Sequence, residues 1–508
     1  DEMHGPAQKL AAGREGYSVL PSGAGVSVKV LFVSAEVSPF AKVGGLADVA
    51  GSLPRALRQI GLDVRVAMPA YRMIAQDPRH QFETVVADLD VALNPVWSKP
   101  TYMSRIQHDV PTYLIGTDEW FTESDRSESI YLSGGDHYLW FSKAVLRCFE
   151  AYGWIPDVVH CHDWHTGFVP VLMRESLRDV WRQTASVFTI HNLAYQGEFG
   201  PEVLDKLNLP HSLYNMHQLE TWGTVNFLKA ACVYADMVNT VSPTYAQEIQ
   251  TEEYGCKLHG LMAHLAHAGR LRGILNGIDP VEFDPSQDPR IPANYSANDP
   301  GGKKECRKAL LKELGFKPSA GAPIMSVVSR LSHQKGMDLL LEAAPALFAL
   351  PAQLVVLGTG DDLLALRFRR LQEQYPAHLR FIERFDVELA QRIYAGSDLF
   401  LMPSSFEPCG LGQLIALRYG TIPVVRRTGG LADTIFEGEN GFVFETRSVS
   451  ALVGAAERAH KAFTRAAVWR EMVRQALRSD FGWSVSAREY ERLYGAALEL
   501  RRQPIAKK

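Results

Sequence analysis

The sequence predicts an α/β protein made of two Rossmann-like, doubly wound domains. At 508 residues the chain is too long for one ordinary hydrophobic core. Short and almost continuous apolar runs alternate with longer helical stretches, a pattern typical of buried parallel strands with helices on both faces of the sheet. This alternation is interrupted at 272–300, where Pro, Asp, Asn and Gly are frequent, and it then begins again.

The first series of elements follows Val28. Its predicted strands are VKVLFVSAE (28–36), DVRVAMP (63–69), DVVHCH (157–162), ASVFTIHN (185–192) and MVNTVS (237–242). Its clearest helix candidates are 45–60, 137–152 and 222–236. Each strand is too short and too apolar for an exposed element, so we expect a covered parallel sheet.

The second series follows LNGID at 275–279. Its predicted strands are IMSVVSRL (324–331), AQLVVLG (352–358), LRFIERF (379–385), SDLFLMP (397–403) and TIPVVR (421–426). We therefore divide the chain into a tail at 1–27, a first domain at 28–272 and a second domain at 273–483. The tail is rich in Gly, Ala and Ser, and it has no apolar core of the kind found in a secretory signal.

Composition narrows the possible functions. The net charge of −4, from 53 basic and 57 acidic residues, provides no polybasic surface, which disfavours nucleic-acid binding. No apolar run reaches the roughly 18 residues that span a membrane. The six cysteines form no CxxC pair and are expected to be reduced thiols.

A glycine pair follows the first strand and opens a predicted helix. Here Lys42, Gly44, Gly45 and Asp48 belong to the segment KVGGLAD, and a second GGLAD occurs at 429–433 after the strand TIPVVR. Glycines permit close approach to a ligand, and a helix N-terminus offers free N–H groups to a phosphate. An ordinary strand-to-helix turn is the alternative, but the recurrence in the same context favours two ligand-facing loops.

Two further loops follow strands of the second series. Arg330 and Lys335 lie in RLSHQKG, where the two cations are spaced to clamp a diphosphate. The alternative is a solvated basic turn. Glu407 lies in SSFEPCGL, where a carboxylate between proline and glycine can face positive charge that develops on a sugar. The alternative for Glu407 is a helix cap.

Histidines collect at two strand ends of the first series, in HCHDWH at 160–165 and TIHN at 189–192. Zinc is one reading, but the spacing lacks the paired ligands of a structural zinc site, and a sugar pocket fits better. Asp88 and Asp90 form a DxD, which we interpret as the polar face of a strand. We expect no metal. The third glycine of a dinucleotide fingerprint is replaced by Leu363, which disfavours a dehydrogenase.

Together these motifs resemble the glycogen/starch synthase family, the ADP-glucose type of retaining glycosyltransferase. The resemblance rests on KVGGLADV, HDWH, TIHN, LNGID, SRLSHQKG, SSFEPCGL and TGGLADT, which occur in this order between residue 28 and about residue 440. Val43 stands where many members have threonine, and the Lys and both glycines around it are intact. The resemblance implies the GT-B architecture, with two Rossmann-like domains facing each other across a deep cleft and 484–508 crossing back to the first domain.

The resemblance also implies roles for individual residues. Those implied in catalysis are Glu407, His191, Arg330, Lys335 and Lys42. Those implied in donor binding are Lys42, Gly44, Gly45, Asp48, Asn276, Arg330, Lys335, Glu407, Cys409, Gly410 and Thr428. Asp163 and His191 are implied on the acceptor side.

The implied reaction transfers glucose from ADP-glucose, rather than UDP-glucose, to the non-reducing 4-OH of an α-1,4-glucan with retention. No metal or other cofactor is expected, nor a nucleic-acid or membrane partner. A bacterial cytoplasm is the expected location, with a plastid stroma or starch granule as the alternative. Three other functions remain open: a different retaining GT-B transferase, a non-catalytic glucan-binding protein, and, least supported, a glucan phosphorylase, for which no pyridoxal lysine can be identified.

Overall fold

The computed structural model describes residues 27–86, 89–117, 119–121, 129–131, 134–317 and 321–503. These residues form two compact units, which we call the N-terminal and the C-terminal unit. The C-terminal unit contains Ser242–Tyr245 and Gly277–Gly482. The N-terminal unit contains the described residues up to Val241, then Ala246–Asn276, and the chain from Trp483 onward. The predicted tail at 1–27 lies outside the described residues except for Ser27.

The N-terminal unit is built on a large twisted sheet. Its strands and those of two small accessory sheets are β1 (Lys29–Val33), β2 (Asp63–Pro69), β3 (Glu83–Val86), β4 (Val91–Leu93), β5 (Val96–Ser98), β6 (Thr101–Gln107), β7 (Val110–Gly116), β8 (Val158–His162), β9 (Ala185–Ile190), β10 (Glu198–Phe199), β11 (Glu220–Thr221), β12 (Thr224–Asn226), β13 (Met237–Thr240) and β14 (Leu271–Gly273). The large sheet has the order β14-β13-β9-β8-β1-β2-β7-β6-β3. Its pairs from β14 to β7 are parallel, whereas β6 and β3 are antiparallel to their neighbours.

The C-terminal unit contains a parallel sheet. Its strands are β15 (Ile324–Val328), β16 (Gln353–Leu357), β17 (Leu379–Ile382), β18 (Leu399–Met402), β19 (Ile422–Arg426) and β20 (Phe442–Phe444), in the order β17-β16-β15-β18-β19-β20. Central strands such as β16 are buried along their whole length. The order reverses between β15 and β18, and ligands of such sheets bind at the strand ends beside this reversal.

Helices cover the sheets. They are α1 (Gly45–Gln59), α2 (Arg72–Ala75), α3 (Gly135–Tyr152), α4 (Phe168–Glu175), α5 (Arg178–Trp181), α6 (Val203–Leu207), α7 (Phe227–Tyr234), α8 (Pro243–Glu248), α9 (His259–His267), α10 (Gly301–Glu313), α11 (Met337–Ala349), α12 (Asp362–Gln374), α13 (Val387–Gly396), α14 (Gly412–Arg418), α15 (Gly429–Thr434), α16 (Val449–Phe463), α17 (Ala466–Arg478) and α18 (Trp483–Arg502). The last helix, α18, packs against α1 and β9 within the N-terminal unit. No helix among the described residues is long and apolar enough to cross a membrane.

The predicted strands are confirmed as strands, but the helix predicted at 222–236 is wrong at its start. Residues before Phe227 form the hairpin β11–β12, whose tip residue Trp222 has φ +52° and is 78% exposed. The helix begins only at α7, where the side chain of Asn226 accepts a hydrogen bond from the backbone N–H of Lys229 at 2.8 Å. Asn226 is therefore a helix cap, and the apolar run before it belongs to a strand.

Candidate active site

The loop between β1 and α1 is organised around Glu36, a residue that is 3% exposed. Its carboxylate accepts hydrogen bonds from the backbone N–H of Val43 at 2.7 Å and of Gly44 at 2.8 Å. The hydroxyl of Tyr131 donates to the other carboxylate oxygen. Burial raises the pKa of Glu36, and these hydrogen bonds oppose the rise. Two of the N–H groups expected to face a phosphate are thus already bound by a carboxylate of the chain itself.

Lys42 and Asp48 from this loop form an ion pair. Lys42 Nζ lies 2.6 Å from Asp48 Oδ1, and the two side chains are 39% and 24% exposed. Burial raises the pKa of Asp48, and the neighbouring ammonium opposes the rise. Gly44 has extended backbone (φ −142°, ψ −167°), and a Cβ built on it would meet no atom within 4 Å. The first glycine of this pair, Gly44, therefore faces open space.

Asp163 and His191 lie together at the ends of β8 and β9. The backbone N–H of His191 donates to Asp163 Oδ1 at 2.8 Å, and Asn192 N–H also donates to this carboxylate. Asp163 has φ +54°, a conformation rarely adopted by a residue with a side chain, and its carboxyl hydrogen bonds hold it there. Burial raises the pKa of Asp163 to about 7. Burial also lowers the pKa of His191 to about 3, so this imidazole is neutral near pH 7.

Asn276 lies apart from these groups, shortly after β14. It is buried, and its Oδ1 has no hydrogen-bond partner in the part of the chain that the structure describes. A buried amide oxygen without a partner is uncommon and marks a position that a ligand donor can fill.

In the C-terminal unit, Lys335 is bound to Glu407. Lys335 Nζ lies 2.7 Å from Oε1 and 2.6 Å from Oε2 of Glu407, and Ser404 Oγ donates to Oε2 at 3.1 Å. Glu407 is 4% exposed. The following helix, α14, has Leu411 at its N-cap and no side-chain cap, so the helix-cap alternative for Glu407 is wrong. The carboxylate is buried and is bound by Lys335 and Ser404 instead.

The second glycine pair packs directly against the Glu407 turn. A Cβ on Gly429 would lie 1.9 Å from the backbone oxygen of Glu407, and one on Gly430 would lie 2.3 Å from that of Cys409. The N–H of Gly430 donates to the Glu407 oxygen at 3.1 Å. Gly410 in the same turn has φ +74°. Thr428, at the N-cap of α15, is 1% exposed. The second GGLAD therefore holds the EPCG turn, unlike the first copy.

Asp433, the last residue of the second GGLAD, binds the segment Ser242–Tyr245. Its carboxylate accepts from the N–H of Thr244 at 2.9 Å and from the Thr244 hydroxyl at 2.7 Å. Ser242 Oγ donates to the backbone oxygen of Pro408 at 2.6 Å. This short segment thereby belongs to the C-terminal unit, although the chain on both sides of it belongs to the other unit.

Arg330 differs from Lys335, its partner in the predicted clamp. Arg330 is exposed, and its guanidinium has no hydrogen bond or ion pair within the described residues. The clamp remains a prediction: Lys335 is engaged by Glu407, and Arg330 is open to solvent.

Two known protein families match successive parts of this chain. Residues 29–264 match the family described as Starch synthase catalytic domain, and residues 315–475 match Glycosyl transferases group 1. A glycogen synthase of Desulforudis audaxviator is 45% identical and covers 93% of this chain and 97% of its own. The chain belongs to the glycogen/starch synthase family. The glycogen synthase of Thermotoga maritima is 43% identical, with 93% and 99% of the two chains covered.

Solved structures agree with membership in the glycogen/starch synthase family. The catalytic domain of starch synthase IV from Arabidopsis thaliana, bound to ADP and acarbose, has a TM-score of 0.87 and 32% identity, and covers 93% of this chain and all of its own. Sucrose-phosphate synthase from Thermosynechococcus elongatus, at 20% identity and a TM-score of 0.57, shares the fold. The predicted GT-B fold and family are confirmed.

For this glycogen/starch synthase family member, sequence reasoning missed Glu36, Ser404 and Asp433. Glu36 and Ser404 follow strands directly, and a polar residue in that position was a usable signal. Asp433 was part of the repeated motif, but its contact with Thr244 was not predictable from spacing. No group of three or more His, Cys, Asp or Glu side chains that could hold a metal ion occurs among the described residues, and Asp88 of the DxD lies outside them.

Proposed function

We propose that the protein is a glycogen or starch synthase that transfers glucose from ADP-glucose to the non-reducing 4-OH of an α-1,4-glucan, with retention of configuration. The observation that carries this proposal is similarity over 93% of the chain to glycogen synthases and to a starch synthase catalytic domain bound to ADP and acarbose. A bacterial cytoplasm is the proposed location, because the closely similar glycogen synthases come from bacteria. A plastid is the alternative.

Breaking the bond between the anomeric carbon and phosphate leaves positive charge on the sugar and additional negative charge on the diphosphate. Lys335 and Arg330 are proposed to stabilise the diphosphate, and Lys42 is proposed as a further cation that binds the donor. An ammonium has three N–H donors, and Glu407 takes two of those on Lys335. The third donor remains for a phosphate oxygen, so Lys335 can serve the carboxylate and the leaving group together.

Glu407 is proposed to stabilise the charged sugar rather than to attack it. Both of its oxygens lie within hydrogen-bond distance of Lys335, and one also accepts from Ser404, which makes the carboxylate a poor nucleophile. We therefore propose attack by the acceptor on the face that the diphosphate leaves. A covalent glucosyl–Glu407 intermediate, trapped with a slow donor, would contradict this mechanism.

The remaining site residues are proposed in supporting roles. Gly44, Gly45 and Asp48 would border the donor from the first loop, with Asp48 orienting Lys42 through their ion pair. In the second domain, Thr428 and the turn at Cys409 and Gly410 would border the transferred sugar. The unpaired Oδ1 of Asn276 would accept a hydrogen bond from the bound sugar nucleotide. Asp163 and His191 would lie on the acceptor side.

The test is incorporation of labelled glucose into glycogen from ADP-glucose and from UDP-glucose in parallel, in buffer containing a chelator. We expect transfer from ADP-glucose without added metal, and a loss of about 10²–10³ in rate for Glu407→Gln. Transfer from UDP-glucose but not from ADP-glucose would show that UDP-glucose is the donor substrate. A requirement for metal would contradict the proposed cation clamp, and no transfer by the folded protein would contradict the proposed function.

A further inference from the structure

His162 lies directly behind His191 and has no role in the proposed function. It is fully buried at the end of β8, and its Nδ1 lies 3.0 Å from Nε2 of His191. Its ring packs against the rings of Phe32, at 4.0 Å between centroids, and of His160, at 4.1 Å, and these two rings also contact each other. Its other nitrogen, Nε2, has no hydrogen-bond partner in the described part of the chain.

The hydrogen bond between the two imidazoles can form in two ways. Burial lowers the pKa of both rings, well below the ordinary value for His162 and to about 3 for His191, so both are neutral near pH 7. A neutral imidazole has one N–H donor and one bare acceptor nitrogen. One ring therefore donates to the other, and this choice fixes where both protons lie.

The unpaired Nε2 of His162 distinguishes the two arrangements. If His191 donated, the single proton of His162 would lie on Nε2, as a buried N–H with no acceptor. If His162 donates from Nδ1, its Nε2 is only a bare lone pair. Buried N–H groups without acceptors are rarer in proteins than acceptors with an unused lone pair. The second arrangement is favoured.

We propose that His162 is a positioning residue that donates from Nδ1 to Nε2 of His191 and thereby fixes His191 as its Nδ1–H tautomer. His191 then presents a hydrogen-bond donor, not an acceptor, to an oxygen of the bound sugar. The sugar as ligand rests on the proposed function. The tautomer itself rests only on the contacts of these two rings.

The neighbouring ring is fixed independently, which holds His162 in place. The hydroxyl of Thr189 donates to Asn239 Oδ1 at 2.7 Å, so it accepts from Nε2 of His160 at 2.6 Å. Nδ1 of His160 then accepts from the hydroxyl of Tyr494 on α18 at 2.8 Å. Because both nitrogens of His160 are hydrogen-bonded, its ring is held in one orientation and packs against the ring of His162.

The test measures ring tautomers by NMR in the full chain labelled with ¹⁵N-histidine, with the His191 signals assigned by their loss in His191→Gln. We expect an Nδ1–H tautomer for His191 in the unsubstituted protein. In His162→Asn the side-chain amide can replace the Nδ1 donor, so this tautomer should persist. In His162→Phe it should give way to a mixture. His165→Phe is the control and should leave the tautomer unchanged, because His165 is buried nearby and has no hydrogen bond or ring contact with His191 among the described residues.

Kinetics provides the second readout. We expect His162→Phe to lower kcat at least about tenfold, because the donor to the sugar is no longer fixed, and His162→Asn to recover most of this loss. An Nε2–H tautomer of His191 in the unsubstituted protein, or a tautomer that His162→Phe leaves unchanged, would overturn the proposal. If His162→Phe fails to fold, the unsubstituted protein and His162→Asn still decide it. The NMR result does not require activity, so failure of the proposed function would be recognised separately.

Discussion

Lys335 and Arg330 lie in one loop but have different surroundings, so substitutions at these two positions should have different effects on activity and stability. Lys335 is 20% exposed at its side chain and bound to a carboxylate that is 5% exposed, whereas Arg330 points to solvent. Removing one partner of a buried ion pair leaves an uncompensated charge, which costs more than the pair itself contributes. Activity and stability should therefore respond differently at these two positions.

We predict that Arg330→Ala lowers kcat by about 10²–10³ with little change in melting temperature. Lys335→Ala should lower kcat as well, but should also destabilise the C-terminal unit by about 3 kcal/mol, since Glu407 remains buried and unpaired. Calorimetry and initial rates measure both effects. The double variant Lys335→Ala/Glu407→Gln removes the unpaired charge and should recover stability without activity. Equal stability losses at Arg330 and Lys335 would contradict this prediction.

A second residue-scale prediction concerns Glu36. Glu36→Gln keeps one acceptor oxygen but turns an NH₂ group toward donors that the carboxylate now binds, from Val43, Gly44 and Tyr131. An unsatisfied buried donor costs about 1–3 kcal/mol. We expect the loop to shift, KM for the donor to rise and the N-terminal unit to lose stability by that amount. Tyr131→Phe, which removes one donor and keeps the ring, is the matched control and should have a smaller effect. An unchanged KM for the donor in Glu36→Gln would show that the Glu36 carboxylate does not hold this loop in its conformation.

At the scale of elements, the two GGLAD segments open helices in the same way but use their glycines differently. In the first copy Gly44 faces open space, and Asp48 binds Lys42. The second pair packs against the backbone of the Glu407 turn, and its aspartate binds Thr244. The same five residues thus form a loop with open space at Gly44 in one unit and a packing surface in the other.

This contrast predicts opposite outcomes for the same substitution. Gly430→Ala brings a Cβ to 2.3 Å from the Cys409 oxygen, so the turn must move; we expect a loss of several kcal/mol and of activity. Gly44→Ala has extended backbone and open space, and its stability should match that of the unsubstituted protein. Thermal unfolding measures both variants. Similar melting temperatures would contradict the packing role of the second pair.

A strand or helix could be predicted when neighbouring residues in the sequence carried its pattern. The parallel strands were predictable because both faces of each are covered, as in β16, where every residue is buried. The hairpin of β6 and β7 was missed, since β6 is mostly half-buried and its turn uses His108 and Asp109 at positive φ rather than glycine. Candidate site residues were found where motifs carried them. The contacts of Glu36 with Tyr131 and of Asp433 with Thr244 span 95 and 189 residues, and only the folded chain brings them together.

At the scale of the whole molecule, buried histidines make stability depend on pH. Burial lowers the pKa of His165 and His191 to about 3, and that of His160 and His162 further below the ordinary value. Below about pH 6.5 these histidines bind protons in the unfolded chain but not in the folded chain. The free energy of unfolding therefore decreases as the pH falls below 6.5, whereas above 6.5 the histidines cause no such loss. Three carboxyl groups act oppositely, because burial raises the pKa of Asp163, to about 7, and also those of Glu36 and Asp48, but they are three groups against these four histidines.

We therefore predict that the N-terminal unit loses stability as the pH falls from 6.5 to 5. Tryptophan fluorescence reports on this unit during urea unfolding, because eight of the nine tryptophans lie in it and only Trp469 lies in the other. His165→Phe removes one of the protons bound on unfolding and should reduce the slope by about 1.4 kcal/mol per pH unit. His460→Phe, on the exposed face of the C-terminal unit, is the control. A slope that His165→Phe leaves unchanged would contradict this account.

The path of the chain has a consequence for how the protein is made. The N-terminal unit needs α18, whose Tyr490 and Tyr494 bind Asn239 and His160, yet α18 is translated after the C-terminal unit. All parts of the C-terminal unit, including Ser242–Tyr245, have emerged before it. On the nascent chain, the sheet of the N-terminal unit can be completed only after the more than two hundred residues between Asn276 and Trp483 have been translated, and until then His160 and Asn239 lack their tyrosine partners.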